Sequence, residues 1–226
     1  MTSTGNDIVS LNAVNIARTT QPRFFSKILS DTEKALYNTP RLSAIPFENF
    51  VWLLWSLKES AYKYLQRITP DLVFSPTKII VTQLEVPCGY TAKSFELPEE
   101  EGTGFENTVI FKAVITFGND ILYSRSLLYK ELIFSVVNGN DNFENTFWGI
   151  KAIDNSNHDD QSIAVREFLV NKLNNLLKVD NITFSKSSTG FPIVLKGTEP
   201  IAIPVSLAHH DCFVAYSFQL EDTETL

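Results

Sequence analysis

The chain has 226 residues, 44% hydrophobic and 12% aromatic, with a net charge of −7, a composition that is globular rather than disordered and leaves room for a sizeable core. The negative balance argues against a general nucleic-acid binder, which needs a basic footprint to displace counterions. Cys88 and Cys212 lie far apart without metal-ligand spacing and read as free thiols in a reducing compartment.

The opening, Met1 to Asp7, has neither a basic region nor an apolar stretch like a signal peptide. Ser30-Asp31-Thr32-Glu33 is a helix start, a polar cap followed by acids, and a short helix to about Tyr37 follows. Between Pro40 and Pro46 on one side and Pro70 and Pro76 on the other, Phe47, Phe50, Val51, Leu54, Ala61, Leu65 and Ile68 recur at three- and four-residue steps, which predicts a helix over about 44–68. The longest apolar run, Phe50 to Leu57, is far shorter than the roughly 20 residues that cross a bilayer. No membrane association and a cytoplasmic location are expected.

From Lys78 the pattern turns to β. Ile79 to Val86 is one strand. Val109 to Phe117 and Ile121 to Tyr129 are joined by a Gly118-Asn119-Asp120 turn, Lys130 to Val137 extends the meander, and Trp148 to Ile153 adds a short strand. Ser162 to Leu177 returns to a helical period. Ile182 to Phe184, Pro192 to Leu195 and Val205 to Leu220 close the chain as strands, the last interrupted by histidines. No internal repeat is visible. The predicted class is α+β, helices packed on antiparallel sheet, as one compact unit or two fused half-size lobes.

Chemistry concentrates in Trp55-Ser56-Leu57-Lys58-Glu59-Ser60-Ala61 with Lys63. Glu59 and Lys63 are four apart on one helix face, off the apolar stripe, so a cation held by the carboxylate and an anion held by the ammonium can share one volume. An ordinary surface ion pair is the plain alternative. Residues 1–68 hold 8 Lys or Arg against 5 Asp or Glu, while residues 69–226 hold 11 against 21. The end with the candidate site is the basic end, which suits an acidic partner; acidic loops such as Glu99 to Glu101 explain the asymmetry equally well.

Three fragments in order, Gly5-Asn6-Asp7, Trp55 to Lys63 and Ser206-Leu207-Ala208-His209, resemble the active-site motifs of the 4'-phosphopantetheinyl transferase superfamily. Their order resembles that of the holo-(acyl-carrier-protein) synthase type. Arg23-Phe24, Ile28-Leu29-Ser30 and Glu33, and the Gly190-Phe191-Pro192 turn, are further likenesses. The resemblance implies a single transferase domain over 1–226 with a β-rich insertion at about 72–155, which would replace a neighbouring subunit's surface and make the protein a monomer where minimal synthases are trimers.

It also implies transfer of the 4'-phosphopantetheine group from coenzyme A to a serine of an apo acyl or peptidyl carrier protein, with Mg²⁺, releasing 3',5'-ADP. In that scheme Asp7 and Glu59 hold the metal. Lys63 contacts the phosphates and takes part in catalysis, Lys58 helps bind the coenzyme, and His209 touches a phosphate of it. The serine's proton goes to Glu59 or to a water. The alternative is a carrier- or coenzyme-binding scaffold without turnover; a separate ligand-binding module in the β-rich middle is a third reading. Ala208 departs from the second serine of the strand motif and Ala13 from an arginine that grips the carrier, a task left to Arg18 or Arg23.

Overall fold

The computed structural model describes residues 3–43, 45–106 and 109–220. The elements in chain order are β1 Gly5–Ser10, α1 Ile16–Thr19, α2 Pro22–Phe25, α3 Asp31–Tyr37, α4 Phe47–Ile68, β2 Ile80–Glu85, β3 Glu99–Thr103, β4 Phe111–Phe117, β5 Asp120–Leu128, β6 Leu132–Asn138, β7 Thr146–Ala152, α5 His158–Leu177, β8 Ile182–Lys186, β9 Pro192–Lys196, β10 Glu199–Pro200, β11 Val205–His210 and β12 Phe213–Gln219. The class is α+β with antiparallel sheets, as the patterning predicts.

Local chemistry accounts for the ends. Ser30 and Glu33 form a reciprocal capping box that starts α3. Pro46 precedes the first turn of α4; Ala44, where that helix was expected to begin, lies outside the described residues. Gly118 at φ +58 makes the β4–β5 turn, and Asp211 at φ 54 makes the β11–β12 turn. The final apolar stretch is therefore two strands, with the histidines closing the first. Asn157 caps α5 through the Asp160 amide, four residues ahead of the predicted start, because the first turn is polar and carries no apolar period.

Two sheets lie between two long helices. The order β1-β6-β5-β4-β2 forms one, β11-β12-β7-β3 the other, and β10-β9-β8 a small third. Phe50, Leu54, Leu57 and Ala61 of α4 pack on Val81, Ile115 and Ile133 of the first sheet. Ile8, Phe134 and Val136 on its other face meet Trp148, Ile150 and Ala215 of the second. Val165, Leu169 and Leu173 of α5 cover Val214, Tyr216 and Phe218. Each layer thus buries the apolar side of the next.

The segment 72–155 is not set apart from the rest. Its strands β4, β5 and β6 complete the sheet that begins with β1, and β3 and β7 belong to the second sheet. The order of elements also recurs: β1-α4-β2-β4-β5-β6 and β7-α5-β8-β9-β11-β12 each run strand, helix, strands, hairpin. The last strand of each set bonds back to its first, β6 to β1 and β12 to β7.

Patterning missed β1, the two-residue β10 and β3. The Glu99-Glu100-Glu101 run of β3 has the composition of a solvated loop, but each acid finds a partner: Lys151 for Glu99, the Tyr129 hydroxyl for Glu100, Lys172 and the Tyr216 hydroxyl for Glu101. Edge strands tolerate such charge.

Candidate active site

Gly5 is where β1 crosses α4. A Cβ there would lie 2.0 Å from the Ser60 carbonyl oxygen and 2.7 Å from the Tyr64 amide nitrogen, so the strand lies flush on the helix only because the residue has none. Gly5, Asp7 and Val9 alternate onto the α4 side of the strand, and Asp7 is thereby pressed against the helix face that carries Lys63. The weak Gly-x-Asp fragment acquires a physical meaning: the glycine sets the distance and the aspartate uses it.

Three groups of the expected site converge here. The Lys63 ammonium donates to the Asn6 carbonyl at 2.9 Å, lies 3.3 Å from Asp7 Oδ1 and 3.8 Å from Glu59 Oε1. Asp7 is 5% exposed, and its other oxygen, Oδ2, has no hydrogen-bond partner among the described residues. Burial pushes the Asp7 carboxyl up to about 7, with Lys63 opposing the shift and the Glu59 charge adding to it. Two carboxylates and one ammonium in this space leave the pair short of positive charge.

Lys58 does not join them. Its side chain is wholly buried, and its three N–H donors go to the Ile28 carbonyl at 2.7 Å, the Pro76 carbonyl at 2.9 Å and Glu33 Oε2 at 2.7 Å. Glu33 in turn accepts from the Val81 and Ser30 amides. The expectation that Lys58 binds a coenzyme is corrected: every donor is spent inside the protein. The reason is rotational, because one residue along a helix turns the side chain about 100° and carries it from the Glu59 face into the core. Glu33, which patterning read as a first-turn acid, is the buried counter-ion that makes this tolerable.

β11 lies along the outer edge of β1. Ser206 Oγ accepts from the Asn6 amide at 2.9 Å, His210 Nδ1 accepts from the Ser10 amide at 2.8 Å, and the Ser10 hydroxyl donates to Asp211 Oδ2 at 3.0 Å. Between them Ala208 is buried in the inter-sheet core with Ile8, so the position that is serine in the resembled motif faces apolar neighbours here.

His209 points the other way, as strand alternation requires. Its ring meets that of His158 edge to face at 5.1 Å and lines a cavity of about 840 Å³ with His158, Arg166, Phe184, Lys186 and Gly190. Burial, and after it the nearby His158, Lys63, His210 and Arg166, push the imidazole below its ordinary range. Lys63 acts on His209 electrostatically and Glu59 on His210, which ties the carboxylate cluster to the two histidines at the end of β11.

Sequence reasoning missed His158, Arg166, Lys186 and His210. Helix α5 was read for its apolar period, and nothing in that period marks His158, Ser162 and Arg166, four apart, as one cavity wall. Another cavity, about 830 Å³, is lined by Glu100, Glu101, Glu106, Asp141 and Glu144 beside Lys112 and Arg125 and is acidic on balance.

A carboxylate–lysine cluster thus stands at a strand–helix crossing, close to a cavity walled by His158, Arg166, Lys186 and His209. Residues 3–95 match the family model of the 4'-phosphopantetheinyl transferase superfamily. That match spans β1, α1 to α4 and β2, including Asp7, Glu59 and Lys63, and stops short of His209. No curated protein and no solved structure matches the chain.

Proposed function

We propose that the protein transfers the 4'-phosphopantetheine group from coenzyme A to a serine hydroxyl of an apo acyl or peptidyl carrier protein, releasing 3',5'-ADP. The observation that carries this reading is the meeting of Asp7, Glu59 and Lys63 within one cluster, inside the segment that matches the superfamily. Asp7 and Glu59 fit a divalent cation: the buried Oδ2 of Asp7 lacks a partner, and hard oxygen donors with room for further oxygens suit Mg²⁺. The ion would screen the diphosphate and stabilise the leaving phosphate.

The residues of the chain divide the remaining work. Lys63 neutralises charge on the phosphate oxygens, reaching them from its seat on the Asn6 carbonyl. Glu59, partly exposed beside it, accepts the proton of the attacking serine. The serine oxygen forms a bond to the β-phosphorus as the bond to the oxygen of 3',5'-ADP breaks. His209, Arg166 and Lys186 take the nucleotide end of the coenzyme in their shared cavity. Arg18, stacked over Phe24 at 5.0 Å, and Arg23, both exposed, stand on α1 and α2 where an acidic carrier would approach.

The recurring order of elements supports two fused lobes in one transferase domain. A monomer follows in this reading, because the strand carrying the histidines and the strand carrying Asp7 belong to the same chain and touch. Both cysteines are free thiols, in keeping with the cytoplasmic location expected from the sequence.

The test is intact-mass analysis of an apo acyl carrier protein incubated with this protein, coenzyme A and Mg²⁺, with an EDTA control. A gain of one phosphopantetheine group, lost with EDTA, is expected. No gain on several carriers despite coenzyme A binding would leave a scaffold.

A further inference from the structure

His210 is the half-buried histidine to which no role has been given, and its hydrogen bonding fixes its chemistry. A backbone amide can only donate, so the 2.8 Å contact from the Ser10 amide requires a bare lone pair on Nδ1. The single proton of the neutral ring is then on Nε2, and Nε2 makes no hydrogen bond among the described residues. The ring sits where β11 meets β1, within the field of Glu59 and Asp211. Asp211 is already engaged by the Ser10 hydroxyl. This arrangement excludes a general base, since the one lone pair is occupied and the other nitrogen carries the proton.

We propose that His210 is a neutral hydrogen-bond donor to the phosphoryl group handled at the Asp7–Glu59–Lys63 cluster, held in its Nε2–H form by the Ser10 amide. The role rests on the transferase reading for the identity of the phosphoryl group. A preoriented neutral donor stabilises charge that develops in the reaction while adding no cation beside Lys63. The pair His209-His210 is then divided by strand alternation, one ring to the basic cavity and the other to the reacting end.

Two substitutions separate this role from mere support of the seam. His210→Asn retains an acceptor, its Oδ1, at the place of Nδ1 and deletes the donor; His210→Gln places an amide N–H near Nε2. Expected are a kcat for His210→Asn lower by about 100-fold with KM for coenzyme A and Tm close to wild type, and a kcat for His210→Gln within about tenfold of wild type. Unchanged kcat in His210→Asn would overturn the proposal and leave His210 a structural acceptor.

Nitrogen-15 NMR of the wild-type histidines gives a readout independent of turnover. An Nε2–H signature whose resonance moves on addition of inorganic pyrophosphate is expected; an Nδ1–H signature, or no movement, would overturn the assignment. If the wild type turns over no carrier yet shows that signature and movement, the transferase reading falls while the donor role of His210 stands.

Discussion

Replacing Asp7 by Asn separates what this residue does for folding from what it does for chemistry. The carboxyl is raised from 3.8 to about 7, so the fold prefers the protonated acid and takes up a proton between about pH 4 and pH 7. Stability of the wild type therefore falls as pH rises through that window and levels off above it. A shift of about three pH units at 1.36 kcal/mol each gives an upper figure of roughly 4 kcal/mol for keeping Asp7 ionised. Asn has the shape of the protonated acid and never ionises. Urea denaturation without divalent cations at about pH 4 and about pH 8.5 should show Asp7→Asn close to wild type at the lower pH and more stable by a few kcal/mol at the higher. Carrier modification by the same variant should be lost. A stability difference that is the same at both pH values would refute the burial argument, and a variant that keeps its activity would remove Asp7 from the metal site.

Glu59→Gln should nearly abolish turnover with Tm preserved, since Glu59 lies on a partly exposed helix face; a collapse in folding would make it structural. Lys63→Ala should lower kcat more than it raises KM, and steady-state kinetics with unchanged kcat would exclude its contact with the transferred phosphate. Lys58→Met leaves Glu33 buried without its counter-ion and should cost about 3–5 kcal/mol in denaturant unfolding, part of which Glu33→Gln in the same chain should restore; a Lys58→Met variant of wild-type stability would contradict the buried pair. Gly5→Ala brings a methyl group to 2.0 Å from the Ser60 carbonyl and should lower both Tm and activity by lifting β1 off α4, whereas unaffected activity would mean that the distance between strand and helix is not what places Asp7.

The parts of this molecule that could be read in advance are those where one chemical pattern has one structural outcome. The apolar stripe from Phe47 to Ile68 gave α4, Ser30 with Glu33 gave the cap of α3, and Gly118-Asn119-Asp120 gave the β4–β5 turn. Asp7, Glu59 and Lys63 were legible because two lie four apart on a helix and the third belongs to a motif that travels with them. Lys58 misled because a charge in a pattern of charges looks solvated, and its burial depends on Glu33, 25 residues away. The basic wall of the His209 cavity was illegible for a related reason: His158, Arg166 and Lys186 come together through the packing of α5 on β11 and β8. The role of His210 depends on an amide of β1, 200 residues earlier in the chain.

The joint between β1 and β11 combines the packing of Ile8 with Ala208 and three polar contacts: Ser206 and His210 reach to amides of β1, and Asp211 accepts from the Ser10 hydroxyl. A backbone ladder distributes its hydrogen bonds along every residue; this seam gathers them at its two ends, at Asn6 and at Ser10, the second beside a group proposed to act in the reaction. Parting the strands there leaves both sheets whole while separating Asp7 from the histidines. Under mild denaturant, inactivation should therefore precede the loss of secondary structure, and a ligand that spans the seam should act as a clamp that raises the resistance of the whole molecule to opening.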